Sequence, residues 1–152
     1  MSETFRAAIG RRAVSRASAE VLGQVAHLVV DTDHKYVRAV VIGKGRKARV
    51  VDWDQLSGFG PDAVMVVDEG ALREAADDDD RAAVTGKLEL LGKRALSELG
   101  DALGHVDDVG FDPRTGALEV IVVGDQEHPA AALLGSGRYA AVLAVTAADG
   151  LV

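Results

Sequence analysis

One stretch of this chain occurs twice. Leu22-Gly23-Gln24-Val25-Ala26-His27-Leu28-Val29-Val30-Asp31 returns as Leu103-Gly104-His105-Val106-Asp107-Asp108-Val109-Gly110-Phe111-Asp112, with Leu, Gly, Val and Asp in register at an offset of 81. Val40 to Gly43 falls on Ile121 to Gly124 at the same offset. Upstream, Gly10-Arg11-Arg12-Ala13-Val14-Ser15 falls on Gly92-Lys93-Arg94-Ala95-Leu96-Ser97 at 82, which places one inserted residue near Ala19. Self-similarity over half a chain means two copies of one supersecondary unit. It overrides the single-domain expectation that 152 residues would otherwise carry.

The residues inside the copies read as strands. Leu28 and Val30 alternate with His27, Val29 and Asp31, and Val109 and Phe111 alternate with Asp108, Gly110 and Asp112; a period of two is the period of a strand. Thr32 to Lys35 and Pro113-Arg114-Thr115-Gly116 carry turn chemistry. The return strands Tyr36 to Ile42 and Ala117 to Val123 begin by alternating and end in continuous β-branched runs, so their ends are expected to be buried on both faces. Each small unit cannot cover such ends alone, and the two are expected to pack their strand ends on one another. A second hairpin tip, Gly43 to Lys47, leads to a strand reaching Trp53, and Gly58-Phe59-Gly60-Pro61 turns into a strand from Ala63 to Asp68. In the second copy the offset falls to 78, three residues are missing around Asp125 to His128, and Pro129 marks a short or edge strand. Ala140 to Val145 is the matching last strand. Short helices are expected at Ser18–Leu22, at Leu99–Leu103 and over Gly70–Ala76, with Ser18 and Gly100 as caps of the first two. Asp77-Asp78-Asp79-Asp80 reads as a solvated linker, because a calcium loop needs spaced ligands with a Gly turn and a distal Glu. The expected organisation is a first unit over 5–76, an acidic linker over 77–83 and a second unit over 84–150. The fold class is all-β: two small tandem antiparallel barrels with short helical connections.

The order Gly-Arg/Lys-Arg-Ala-Val/Leu-Ser, then Leu-Gly-x-Val-x-x-Val/Leu-x-apolar-Asp, then a turn, an apolar strand ending in Gly and Val50-Val51-Asp52-Trp53, resembles the PRC-barrel domain. This is the module of photosynthetic reaction-centre H subunits and of ribosome maturation factors. The likeness covers nearly the whole chain, twice, and lapses at Asp125–Pro129. It implies a small barrel used for protein contacts, often dimeric, with no shared catalytic residues and no cofactor.

Composition narrows the function classes. The chain has no Cys, which excludes disulfides and thiolate metal sites and fits a reducing cytoplasm. The N-terminus has no apolar signal region and no run approaches a membrane span. Residues 1–49 hold ten Lys and Arg against four Asp and Glu, a local +6, while 50–152 hold seven against twenty, a local −13. Two copies arranged antiparallel would match the basic part of one to the acidic part of the other, so a homodimer is expected, with apolar contact supplying affinity and charge supplying orientation.

The site candidates are the cations Lys44, Arg46, Lys47 and Arg49 of the hairpin tip and the sole tryptophan, Trp53, as an interface anchor. The tip could meet a phosphate backbone, but it has no aromatic for base stacking and no Walker-type Gly-Lys-Ser/Thr, which argues against nucleic acid. His105, Asp107, Asp108 and Asp112 are metal-ligand types, yet alternation divides them between the two faces of a strand. Ser57, Ser97 and Ser136 lack the strained elbow of a nucleophile. The expectation is a non-catalytic adaptor or scaffold with a protein partner and no catalytic, cofactor or metal residues. The alternatives are a ribosome- or RNA-associated factor using loop 43–49 and a small-ligand or metal sensor.

Overall fold

The structure, a computed structural model, describes residues 2–144. The chain runs β1 (Glu3–Thr4), α1 (Phe5–Ala8), β2 (Arg12–Ser15), β3 (Val21–Asp31), β4 (Tyr36–Ile42), β5 (Arg49–Asp52), β6 (Leu56–Phe59), β7 (Val64–Val66) and α2 (Asp78–Val84). It continues through β8 (Arg94–Ser97), β9 (Ala102–Phe111), β10 (Leu118–Val123), β11 (Gln126–Pro129), β12 (Leu133–Ser136) and β13 (Ala140–Leu143). The all-β expectation holds, and the repeat is a structural repeat: one sheet is ordered β5-β4-β3-β2-β7-β6 and the other β11-β10-β9-β8-β13-β12. Every neighbour is antiparallel except β2 with β7 and β8 with β13. The barrels do not close, because the chain passes from β5 to β6 through a single 3-10 turn, Trp53–Gln55, that rounds the corner instead of pairing the two strands.

The hydrogen bonds repeat along with the strands. Gly10 N–H donates to Val25 C=O (2.7 Å) as Gly92 N–H does to Val106 C=O (2.8 Å), and Arg16 N–H reaches Val66 C=O as Glu98 N–H reaches Leu143 C=O. Ser15 N–H closes its turn on Glu20, five residues on, whereas Ser97 N–H closes on Asp101, four on. The extra residue lies between Ser15 and Ala19, since Ala19 and its counterpart Gly100 are both left-handed, at φ 62° and 93°, and bond back to Ser15 and Ser97 across four and three residues. These turns occupy the places where short helices were expected at 18–22 and 99–103; Val21 and Leu22 enter β3 and Leu103 enters β9, while Leu99 stays on the turn. Over Gly70–Ala76 the helix is a single 3-10 turn, Glu69–Ala71, after which Arg73 pairs with Val50 of β5. The strand Leu56–Phe59 lies partly in a stretch read as a turn. Register also corrects the late offset. Ala63 corresponds to Ala140, and the six-residue loop 43–48 corresponds to the two-residue turn Gly124-Asp125, so the second unit is four residues shorter, at an offset of 77. β11 is an edge strand, as Pro129 implied. Val145 lies outside the described residues.

The two units meet across a local two-fold. Val37 N–H donates to Gly116 C=O and Leu118 N–H to Lys35 C=O, each at 2.8 Å, around the facing pair Tyr36 and Ala117. Adding 81 to the first-unit member of either bond gives the second-unit member of the other (37 to 118, 35 to 116), so the axis relates the repeats themselves. The entry arms cross this axis. β1 pairs with β9, Glu3 opposite Phe111 and Thr4 opposite Gly110, and α1 packs on the same strand, which binds the N-terminus to the second sheet. Reciprocally, α2 packs on β3 and β5, and the segment beyond it places a Glu89 Oε2 on the N–H of Leu28 (3.2 Å).

One core therefore runs through both sheets, from Phe5, Leu28, Ile42 and Val64 to Val106, Phe111, Ile121 and Leu143. β4 feeds two apolar clusters: Val40 and Ile42 face this core, while Ala39 and Val41, with Val29 and Val50, face Ala83, Val84 and Leu88. Its end is buried on both faces as expected, but the cover is α2 and not the other unit's strand end. The contact between units runs through the starts of β4 and β10. In β10, Val120 and Val122 are only half-buried.

Asp77 to Asp80 begin a helix. Asp77 is the N-cap, its carboxylate accepting the N–H of Asp80 (2.8 Å), and the acids of the first turn complement the helix dipole.

Candidate functional site

Scarce aromatics are concentrated at the junction. All three Phe and the only Trp form one cluster: Trp53 stacks on Phe59 (5.7 Å between centroids, 18° between planes), and Phe111 meets Phe5, Phe59 and Trp53 edge-on at 5.5, 5.2 and 6.3 Å. Edge-to-face and offset pairs at these distances add to the energy of burial itself. Trp53 also lies over Gly116 of the second unit. Gly116 has φ +80°, and a Cβ built there would stand 3.0 Å from the indole ring, so both its conformation and its space require glycine. The tryptophan read as an interface anchor thus has one partner within its own chain. Its exposed half forms a wall of two clefts. One, of about 360 Å³, is walled by Trp53, Leu56, Phe59, Pro113 and Arg114; the other, of about 350 Å³, by Tyr36, Arg38, Asp52, Trp53 and Asp54.

Of the four hairpin cations, Lys44, Arg46 and Lys47 are exposed on the 3-10 turn Gly45–Lys47 and its cap, and Arg49 stands apart. Arg49 donates to the carbonyls of Arg46 and Ala48 (both 3.0 Å) and pairs with Glu74 at 3.4 Å. Beside the hairpin runs a groove of about 570 Å³, walled by Ile9, Gly23, Val25, Ala26, His27 and Lys44. Trp53 is not among its walls, so the two sets of sequence candidates serve separate surfaces.

The carboxylates are committed to turns and pairs. Asp112 accepts the N–H of Arg114 (2.8 Å), which, against some burial, holds its carboxyl below the usual range; Asp31 is lowered in the same way by the N–H and ring of His34. Asp108 accepts from the N–H groups of Arg6 (3.1 Å) and Val109 (2.9 Å), and the Arg6 side chain donates to Asp107 C=O. His105 is exposed. Among the described residues no three His, Asp or Glu side chains come together to hold a metal ion. Ser97 is buried, with its Oγ accepting the N–H groups of Leu99 (3.2 Å) and Asp101 (3.1 Å).

Two junction groups were not anticipated. Arg73 links Asp52 (2.9 Å) to the buried Asp80 (2.5 Å), whose carboxylate also accepts Ala76 N–H (3.0 Å). Burial alone would raise Asp80, but the bonds from Arg73 and Ala76 and the charges of Arg73 and Arg38 outweigh it and hold it below the usual range. Arg73 in turn is raised by its bonds to Asp80 and Asp52. Glu89 stands 3.5 Å from His27 Nδ1, and its buried Oε1 has no hydrogen-bond partner among the described residues. Lys93 donates to the carbonyls of Lys87 (2.7 Å) and Gly137 (2.6 Å) and is lowered by burial, against the pull of Glu89. The rarity of aromatics was a usable signal for the first cluster, whereas nothing local marks Asp80 or Glu89.

The family model of the PRC-barrel domain matches residues 4–72. No curated protein matches the chain significantly. No helix among the described residues is long and apolar enough to cross a membrane.

Proposed function

We propose that this chain, whose residues 4–72 are a PRC-barrel domain, is a non-catalytic adaptor or scaffold of the cytoplasm that works through the outer surfaces of its two units and associates as a homodimer. The observation that supports this is the division of labour among its charges. Its buried carboxylate at Asp80 and its turn carboxylates at Asp31 and Asp112 are engaged within the fold, while Lys44, Arg46 and Lys47 stand exposed beside an apolar groove. Groups spent on structure are not available as acids, bases or ligands, and an apolar groove rimmed by charge suits a protein contact.

The test is affinity co-purification from the native cell with the wild-type chain and with Lys44, Arg46, Lys47 and Arg49 changed to Glu. Defined protein partners, lost or reduced in the variant, are expected. Capture of ribosomal particles or RNA that depends on the same cations moves the assignment to the RNA-associated reading.

A further inference from the structure

We infer that the groove beside the basic hairpin receives the β8–β9 turn of a second copy of this chain; this rests on the self-association proposed above and names its surfaces. The groove has an aliphatic lining of Ile9, Val25 and Ala26, and Ile9 is 36% exposed on its rim. Glycine keeps it open. Gly10, Gly23 and Gly43 have φ of +89°, +145° and +83°, and a Cβ at Gly23 would strike Ile42 at 2.9 Å. Lys44 stands at the edge, with Arg46 and Lys47 next to it on the same turn, and among the described residues none of the three forms an ion pair. The occupant should therefore offer an aliphatic knob with carboxylate beside it.

The second unit presents such a knob. The turn from Ser97 to Asp101 is held by Ser97 N–H on Asp101 C=O (2.8 Å), Gly100 N–H on Ser97 C=O (3.0 Å) and two N–H bonds to the buried Ser97 Oγ. On it Leu99 is 66% exposed, the exposed Asp101 lies two residues on, and Leu103 beyond is 37% exposed. A turn fixed in this way loses little conformational entropy on docking. The equivalent turn of the first unit has Glu20 in the place of Asp101, but Arg16, Ala17 and Ser18 precede it, so it sets a cation and no leucine at its tip. Each chain thus carries one groove on its basic part and one knob on its acidic part. Two copies related by a two-fold can engage both, using each contact twice and closing the assembly. No Phe, Tyr or Trp lines the groove, and its one ring, the His27 imidazole, is mostly buried beside Glu89, which disfavours a nucleic-acid occupant.

Because the chain has no cysteine, single-cysteine variants test the pairing directly. Ile9→Cys and Leu99→Cys proteins, each altered at an exposed position, are mixed and oxidised, with circular dichroism to establish that both are folded. The expected product is a mixed 9–99 disulfide dimer in clear excess over 9–9 and 99–99 products. Its yield should fall several-fold when the Ile9→Cys chain also carries Lys44→Glu, Arg46→Glu and Lys47→Glu, and recover in part when the Leu99→Cys chain carries Asp101→Lys. In light scattering, Leu99→Asp should shift the protein from dimer to monomer. A dimer that survives Leu99→Asp and gives no mixed disulfide overturns this docking while leaving self-association standing. A wild-type monomer at tens of micromolar overturns both. A monomer that binds an RNA oligonucleotide through Lys44, Arg46 and Lys47 gives the groove to a phosphate-bearing partner instead.

Discussion

The two units share a strand order and differ in how they are sealed. In the first, the outer face of β3, β4 and β5 is apolar and lies under α2, and the β4–β5 connection is a six-residue basic loop followed by Trp53. In the second, that connection is two residues, the position of Trp53 holds Ala130, and the equivalent outer face presents Asp107, half-buried Val120 and Val122, and exposed Glu127 under a thinner N-terminal arm. Common to both are, at the two-fold, the main-chain pair around Tyr36 and Ala117 and the turns opened by Asp31 and Asp112, and, at the opposite ends of β3 and β9, the buried serines Ser15 and Ser97. The main-chain scaffold is duplicated, and individuality lies in side chains and loops: at the junction in Trp53 against Ala130 and Phe111 against Val30, and at the far end in the β4–β5 loop.

The largest effect expected from breaking this arrangement is at Phe111. It is fully buried and touches three other rings, whereas its repeat-mate Val30 is only partly buried. Phe111→Ala should cost about 3–5 kcal/mol in urea unfolding followed by Trp53 fluorescence, and Val30→Ala no more than about 1.5. Equal costs would mean that the aromatic cluster adds nothing to the second unit's hold on the first.

Asp80 comes next. Asp80→Asn removes a charged partner of Arg73 and should cost about 1.5–3 kcal/mol at pH 7. Because the folded carboxyl titrates below its unfolded value of 3.8, its contribution is complete above that value and is lost as pH falls through the folded one. The gap between wild type and variant should therefore narrow as pH drops below the unfolded value of 3.8 and through the lower folded one. A gap that persists at the acid end would show that the loss is steric and not electrostatic.

Positions 35 and 116 sharpen the comparison at smaller scale, since both are left-handed, at φ 57° and +80°, and only one is glycine. Gly116→Ala should lose about 2 kcal/mol, from conformation plus the contact with Trp53, and blue- or red-shift the tryptophan emission. Lys35→Gly should gain about 0.5–1 kcal/mol, as should Ala19→Gly at φ 62°. A melting temperature that falls in either glycine variant would mean that the side chain's own contacts, such as Lys35 Nζ on Thr32 C=O, outweigh the backbone.

Much of this was legible in the sequence because a repeat compares the chain with itself. The offset of 81 carried the modules, the strands and the β3–β4 and β9–β10 turns, and the shift from 82 located the insertion near Ala19. What failed was contact over distance or chemistry with two readings. Asp77–Asp80 looked like a solvated run because four adjacent acids repel, yet one caps α2 and another is buried on Arg73. The Leu56–Phe59 strand was obscured by Ser57 and Gly58, which fit a turn equally well. Trp53 was offered as an anchor for a partner, but its seat on Gly116 could not be read, because that glycine lies 63 residues away and has a turn's reasons of its own. The crossing of the arms left no local trace: Phe5 looks like any apolar residue near a terminus, and only the fold places it against Phe111.

That crossing sets how the junction responds to dilution. Hydrogen bonds exchanged by a two-fold, with each partner's leading segment laid on the other, are the contacts by which two separate single-unit chains would pair, and such a pair would come apart as concentration fell. Here residues 77–93 tether the partners, so the second unit is presented to the first at an effective concentration independent of how much protein is in the tube. Melting of the junction should accordingly be unimolecular, and a protease cut within that tether would turn the same surfaces back into an association equilibrium.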